Sequence, residues 1–483
     1  MRYNRSITKR IDWLMIGLYV VLVICGWFSI CGASYNYADT DFLDLGSRTG
    51  KQAMWIFFSF GLGGILMFIE ARLYEAVAPF FYVGMLGLLL LTIFVADDTK
   101  GSNSWLHFGP VSLQPAEFAK FATALMLAKV ANTYPFDIKK SRDFAAVLAI
   151  VFIPMLLIVA QKETGTALVF LSFFLMFYRE GMSGAILFSG VALILYFILD
   201  IKFSHDVFFA GTTNAGQFIV LSLIIFISAG MMTLYTKRKG LARVVLWPYF
   251  VLVPAGCIVS SFFFRFDVNM LLWGLAFYTA VCQLWWWVTY RMKQYGLMAL
   301  FTGMSMLFLF SSGYVFEHVL QDHQRTRIEV LFGLQDDPRG AGYNVNQSKI
   351  AIGSGGAFGK GFLNGTQTKL KYVPEQDTDF IFCTIGEEQG FFGASVVLLL
   401  FLVFILRLVH LSERQDTVFG RVYGYAVTGI FLFHLLINVG MVLGLTPVIG
   451  IPLPFFSYGG SSLLGFTILL FVFLRIDAER GNG

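Results

Sequence analysis

The chain has 483 residues, 57% of them hydrophobic and 13% charged, with a mean hydropathy of +0.71. A soluble domain carries about 25% charge, so this composition excludes a soluble multidomain enzyme. The formal net charge of +5 is small and its cations fall in short loops, which argues against a nucleic-acid partner.

Apolar segments close to the roughly 20 residues that cross a bilayer recur along the whole chain. They lie at 12–32, 53–70, 78–96, 114–132, 145–160, 164–178, 183–200, 216–236, 245–264, 268–289, 297–317, 383–407, 422–445 and 461–475. The expected fold is therefore an all-α polytopic membrane protein with about 14 spans. The first segment follows Arg2, Arg5, Lys9 and Arg10, as a signal peptide would, but it is long and lacks a small-x-small cleavage site. It reads as a retained span. With the N-terminus in the cytoplasm, the inner loops carry Lys139, Lys140, Arg142; Lys237, Arg238, Lys239, Arg243; Arg291, Lys293; Arg407, Arg414, Arg421; and Arg475, Arg480. The outer loops carry few cations, such as Lys100 and Lys162. This bias follows the positive-inside rule, puts both termini in the cytoplasm and residues 318–382 outside. Cys25, Cys31, Cys257, Cys282 and Cys383 are scattered with no CxxC pair, so neither a disulfide framework nor a zinc site is expected. No internal repeat supports an inverted-repeat transporter.

The stretch 318–382 is long, polar and glycine-rich, yet it holds Tyr343, Ile350, Ile352, Phe358, Phe362, Tyr372 and Phe380. Long loops of that kind are functional or disordered, and the apolar content argues against disorder. Gln347 to Ile352 suits a short amphipathic helix on the membrane surface.

Three acids, Glu375, Asp377 and Asp379, crowd where the chain re-enters the membrane. Asp379 stands directly before an apolar run. Partial desolvation there makes a carboxylate a better base near neutral pH. An aspartate before a helix is also a standard cap, and both readings stay open on the residues alone. Glu387 and Glu388 lie inside the following span, where an acid must face a cavity or a partner. Glu117 and Lys120 stand at i, i+3 on one helix face and read as a structural pair. Trp105, just before that helix, reads as an interface anchor or as part of a site. Gln161-Lys162-Glu163-Thr164-Gly165-Thr166 is a polar knot between two spans. The glycine runs around Gly353 to Gly356, Gly359 to Gly361 and Gly365 bring backbone amides near Arg325, Arg327, Lys349 and Lys360, a combination suited to a pyrophosphate. The spacing of a Walker A loop is absent. Pro447, Pro452 and Pro454 cannot sit in an undisturbed span, so 447–461 reads as a bent or re-entrant segment buried in protein or lining a cavity.

Together these pieces resemble the SEDS family of membrane peptidoglycan polymerases. The resemblance rests on Trp105, Gln114-Pro115-Ala116-Glu117 with Lys120, Gly165-Thr166, Asp337-Pro338 through Gly340 to Tyr343, Gln347 to Gly356, Gly365-Thr366-Gln367, Thr378 to Phe382 with Glu387-Glu388, and Pro452 to Ser461. They run in family order over most of residues 10–475. Gln347 to Ile350 and Gly365 to Gln367 favour the elongation-type branch of the family over its division-type branch.

The resemblance implies a glycosyltransferase that joins lipid II units outside the cytoplasmic membrane, with Asp379 in the place of the essential loop aspartate. It implies a structural role for Glu117 and Lys120. Expected substrate-binding residues are Arg325, Arg327, Lys349, Lys360, Gln367, Trp105, Glu163, Glu388 and Ser457. The implied partners are lipid II, the undecaprenyl-linked glycan, a class B penicillin-binding protein transpeptidase and other elongation-complex membrane proteins. A divalent cation, magnesium or manganese, is the implied cofactor. The sequence departs from the family pattern at Glu163, where an aspartate is expected, and in its span count. The family core has ten spans, so about four more are expected as an insertion at 201–300, between core segments 1–200 and 301–483. In the expected mechanism Asp379 takes a proton from an acceptor sugar hydroxyl, and undecaprenyl pyrophosphate leaves. The alternatives are a flippase or transporter of a lipid-linked precursor, a non-enzymatic scaffold, and an O-antigen type polymerase.

Overall fold

The computed structural model describes residues 10–35, 42–96, 102–108, 111–209, 211–236, 239–320, 322–332, 334 and 341–480. Arg2, Arg5, Lys9, Lys100, Lys237, Arg238, Asp337, Pro338 and Gly340 lie outside them. Every expected apolar segment is helical. Among the described residues, 12 helices are long and apolar enough to cross a membrane. The other two segments are shorter, one of 17 residues and one broken by a 3-10 turn at Phe170–Ser172.

The chain divides into two units, Met1–Ser183 with Tyr343–Gly483, and Gly184–Gly342. The first begins with α1 (Trp13–Ser34), α2 (Arg48–Phe68), α3 (Ala71–Val95) and a hairpin of β1 (Leu106–Phe108) and β2 (Val111–Leu113). In the hairpin Leu106 pairs with Leu113. Then follow α4 (Pro115–Ala131), α5 (Ser141–Ala160), α6 (Thr164–Val169) and α7 (Phe173–Arg179). After the second unit come α14 (Ala341–Gly355, whose first two residues belong to that unit), α15 (Thr366–Lys369), α16 (Ile381–Glu413), α17 (Val418–Leu443) and α18 (Gly460–Ala478). Helix starts follow their caps. The side chains of Asp12, Ser47 and Thr417 accept from Met15 N, Gly50 N and Gly420 N at 3.0, 3.0 and 3.1 Å. Pro115 opens α4, where its missing N–H costs nothing.

The most apolar windows of α17 and α18 are 67% and 83% buried, against 22% for α2, α3 and α5. The two last helices thus lie in the core, and α2, α3 and α5 are largely exposed at its periphery. At one end of the unit, Arg407 and Arg414 hold Asp12, and Arg414 also holds Asp477, so residues near both ends of the chain share one ion-pair cluster. Asp12 is pushed up by burial, but its hydrogen bond to Arg407 and the nearby charges win and hold it below the usual carboxylate range. At the other end, Ser461 donates to Ser112 O at 3.0 Å and Gly459 N to Gln52 Oε1 at 3.2 Å. This fixes the starts of α2, α4 and α18 together.

The second unit comprises α8 (Gly184–Lys202), a two-residue hairpin of β3 (Val207–Phe208) and β4 (Thr213–Asn214), α9 (Ala215–Thr236), α10 (Lys239–Phe262), α11 (Val268–Tyr290), α12 (Lys293–Tyr314) and α13 (Asp322–Leu331). Tyr196, Leu221, Ile224, Leu272, Ala276 and Met298 belong to its own buried core. A polar seam, Ser228 to Thr302 at 2.8 Å and Thr302 to Gln283 Oε1 at 2.9 Å, ties α9, α11 and α12.

Candidate active site

The site is organised by a break in α16. Gly390 has φ 67° and ψ −165°, a conformation reserved for glycine. The break frees carbonyls below it and N–H groups above it, and the glycine-rich run after α14 satisfies both. Lys360 N donates to Glu387 O at 3.0 Å and Gly361 N to Glu388 O at 2.9 Å. Phe391 N donates to Gly356 O at 2.9 Å and Phe392 N to Ala357 O at 3.1 Å. The backbones touch so closely that a Cβ on Gly390 would lie 2.2 Å from Gly359 N. The glycines expected to cradle an anion therefore serve this backbone contact. The short helix expected at 347–352 is the middle of the longer α14, whose Ser348 donates to Val442 O at 2.7 Å.

Glu387 then pins the rest of the loop. It is fully buried. Its Oε1 accepts from Lys360 Nζ and Gln367 N, both at 2.8 Å, and its Oε2 from Thr368 N at 2.8 Å and from the Thr368 hydroxyl. Lys360 Nζ also donates to Ser354 Oγ at 2.8 Å and Thr366 Oγ1 at 2.7 Å. All three of its protons are spent inside the loop and its charge is matched by Glu387. Glu388, also buried, lies against Gly32 of α1 and accepts from the backbone N–H of Leu363, while its Oε1 has no partner among the described residues.

The acidic turn 375–379 follows. Its carbonyls are held from outside: Asn438 Nδ2 donates to Asp379 O at 2.8 Å, Ser457 Oγ to Thr378 O, and Tyr458 N to Asp377 O at 2.8 Å. The helix cap is Phe380, so α16 starts one residue later than a capping Asp379 requires. Asp379 is half-buried. Its Oδ2 faces Gly450, where a Cβ would sit 3.3 Å away. Asp377 is ion-paired to Arg48, which also lies over the Tyr458 ring at 5.8 Å. Beside this turn opens a cavity of about 490 Å³ lined by residues that include Tyr35, Arg48, Lys371, Glu375 and Asp377.

The three-proline segment is non-helical and runs through the protein interior, as expected of irregular backbone at membrane depth. Phe455 packs on Tyr19 at 5.2 Å and Phe431 at 5.4 Å, and Gly26 lies against its carbonyl. Beneath it Lys120 Nζ bonds both oxygens of Glu117, at 3.0 and 2.9 Å, and His434 Nε2 at 2.9 Å. The other ring nitrogen of His434 meets Pro452 O at 3.0 Å, and Asn438, one turn along α17, donates to Ile451 O at 2.7 Å. Sequence reasoning missed His434 and Asn438. Their signal was an i, i+4 polar pair inside an otherwise apolar span.

Glu163 accepts from Ser104 Oγ at 3.0 Å and Thr166 Oγ1 at 3.3 Å, and burial pushes its carboxyl above the usual range despite these bonds. Trp105 is half-buried next to Ser104. Gly165 is pressed against Ile449 O, so this knot abuts the three-proline segment. Lys349 is exposed beside Gly444 at the end of α17. Arg325 and Arg327 lie on α13 in the second unit, where Arg325 pairs with Glu329 at 2.9 Å and lies over Phe316. Among the described residues no group of three or more His, Cys, Asp or Glu side chains is arranged to hold a metal ion.

A sequence profile of the FtsW/RodA/SpoVE cell cycle protein family matches residues 12–214 and 216–482. The chain belongs to that family. A relative in Treponema pallidum named peptidoglycan glycosyltransferase RodA is 30% identical over 436 residues, 89% of each chain. The peptidoglycan glycosyltransferase MrdB of Escherichia coli K12 is 29% identical over 420 residues, covering 85% of this chain and 82% of that one. Among solved structures, a chain described under structural coordination of polymerization and crosslinking by a peptidoglycan synthase complex aligns with a TM-score of 0.61 at 20% identity, over 98% of this chain and 99% of the other. RodA of Thermus thermophilus aligns at 0.55 and 19% identity over 98% of each. At such identities the structures establish a shared fold, that of a polytopic helical membrane protein.

Proposed function

We propose that this family member is the elongation-type peptidoglycan glycosyltransferase of its cell, polymerising lipid II at the end of the first unit that carries Asp379. The observation that carries the reading is the acidic turn. Its backbone is bonded from α17 and from the three-proline segment, while the Asp379 carboxylate is aimed at a glycine. Its turn is thus held in place at the point where the chain enters α16, as the turn carrying a general base must be. In the proposed step the carboxylate takes the proton of an acceptor sugar hydroxyl. The oxygen attacks the anomeric carbon of the growing chain, and the bond to undecaprenyl pyrophosphate breaks. A positioned base contributes roughly 10²–10⁴-fold. The leaving diphosphate calls for positive charge. Arg48 and Lys371 on the neighbouring cavity and the exposed Lys349 are the first-unit cations placed to supply it. A divalent ion shared between diphosphate and protein is the other source, and chelation during turnover tests it.

The charge bias of the loops supports an outer location for the acidic turn and cytoplasmic termini. The synthase-complex relative supports a class B penicillin-binding protein transpeptidase as partner, alongside other elongation-complex membrane proteins. The buried Glu117–Lys120 pair closes on itself and on His434 instead of lining a path, which weighs against a transporter. Purified protein supplied with lipid II should yield glycan polymer. If, reconstituted in liposomes, it moves lipid II across without polymerising it, the transporter reading stands instead.

A further inference from the structure

The second unit has two ends. In α9 and α11 the chain runs toward one of them and in α10 and α12 away from it, so Thr236, Lys239, Tyr290 and Lys293 share that end. From Val207 to Phe316 the sequence has a single acid, Asp267, and it caps α11 at the opposite end. At the shared end stand Arg243, Arg291 and Lys293, all exposed. None of the three has an ion-pair or hydrogen-bond partner for its side chain among the described residues.

The first unit pairs several of its basic residues, although Lys139, Lys140 and Arg142 have no ion-pair partner among the described residues. Arg179 pairs with Glu413 at 2.7 Å, Arg421 with Glu180 at 2.8 Å, Lys129 with Glu75 at 3.2 Å, and Arg407 with Asp12.

Beside the unpaired cations is an aromatic group. Trp247 is 68% exposed, Trp285 69%, Trp287 45% and Tyr290 39%. Trp247 lies one turn beyond Arg243 on α10. Trp285, Trp287 and Tyr290 occupy the last turns of α11, ahead of Arg291. Arg291 closes that helix in the left-handed region, φ 54°, with its N–H on Trp287 O. Exposed tryptophans on apolar spans sit at headgroup depth. Cations alongside them are at the height of lipid phosphates, where each one near an anionic surface adds attraction.

We propose that this end of the second unit is a binding surface for anionic phospholipid headgroups. The side chains of Arg243, Arg291 and Lys293 meet the phosphates, and Trp247, Trp285 and Trp287 set the depth. The second unit would then dock the enzyme in anionic lipid. An acidic segment of a protein partner would need the same charge, but it would not need large aromatic rings at the level of the interface.

The test uses the full chain in mild detergent and a fluorescent phosphatidylglycerol probe, with phosphatidylcholine, inorganic phosphate and polyglutamate as competitors. Wild type should bind the probe in a salt-sensitive way, and unlabelled phosphatidylglycerol should displace it much better than phosphatidylcholine or free phosphate. The triple variant Arg243→Gln, Arg291→Gln, Lys293→Gln should bind on the order of a hundredfold more weakly, at roughly fivefold per cation. The charge-keeping variant Arg243→Lys, Arg291→Lys should retain binding, and Trp285→Ala should weaken it. Unchanged probe binding in a folded triple variant overturns the proposal. So does equal displacement by phosphatidylcholine, or displacement by polyglutamate at concentrations where lipid fails.

Discussion

Replacing Glu387 by Gln keeps the side chain's shape and removes its charge. Of the four donors that then lose a carboxylate, Lys360 Nζ, Gln367 N and Thr368 N each lie at 2.8 Å, and the fourth, the Thr368 hydroxyl, can rotate to accept from the new amide. Hydrogen bonds to a charged group contribute about 1.5–3 kcal/mol each, so the gross loss approaches 5–9 kcal/mol. Part of it is recovered, because the Lys360 side chain is 26% exposed and can turn to water. The Gln amide also keeps one acceptor. A net local cost of about 3–5 kcal/mol remains, in the range for breaking one side of a buried pair. At about 1.4 kcal/mol per tenfold change, the segment Ser354–Thr368 should open on the order of a thousandfold more often. Hydrogen exchange of the amides of Lys360, Gly361, Gln367 and Thr368 measures this directly, and thermal unfolding of the whole protein should move far less. Exchange at those amides within a few-fold of wild type would refute the reasoning that Glu387 holds the loop.

Gly390→Ala should release the same loop from the other side, since its Cβ would overlap Gly359 N at 2.2 Å and the backbone at φ 67°, ψ −165° admits only glycine. A cost of at least about 3 kcal/mol is expected, read as faster exchange at Phe391 and Phe392 together with lost polymerase activity. Lys120→Met leaves Glu117 buried and unpaired and should cost about 3–5 kcal/mol, whereas the double variant Glu117→Gln, Lys120→Met should recover much of it; detergent-based thermal unfolding separates the two. Burial raises the Glu163 carboxyl, so the folded state holds its proton more tightly than the unfolded state does. Its contribution to stability is fully present below the ordinary glutamate range and is lost as pH rises through the raised folded value. Glu163→Gln should therefore raise Tm relative to wild type above that window and not below it, and a Tm difference of the opposite sign at alkaline pH would contradict the shift.

Much of the architecture was legible because bilayer thickness fixes helix length. Each expected span is a helix, and Glu117 and Lys120 pair as their i, i+3 spacing required. The three prolines marked an irregular buried segment for the same reason. The break at Gly390 was not legible. Residues 381–413 read as one apolar helix, and a helix breaks where another backbone supplies the missing hydrogen bonds, which only the fold brings together. For the same reason the glycine run looked like an anion cradle, when its amides and carbonyls are spent on α16. Lys360 looked like a diphosphate ligand because its partner, Glu387, lies 27 residues away in sequence. Arg325 and Arg327 stand on α13 in the second unit, whereas the loop from Tyr343 onward belongs to the first. Asp379 looked somewhat more like a cap than a base on its residues alone, and the family resemblance pointed to the base. In the structure the helix cap falls on Phe380, one residue after Asp379.

The most direct measurement is glycan polymerisation from lipid II by purified Asp379→Asn. The isosteric amide keeps the turn's backbone bonds to Asn438, Ser457 and Tyr458, so the variant should fold, bind lipid II as wild type does, and polymerise about 10²–10⁴-fold more slowly. A folded Asp379→Asn enzyme that polymerises at the wild-type rate would contradict the assignment of Asp379 as the base.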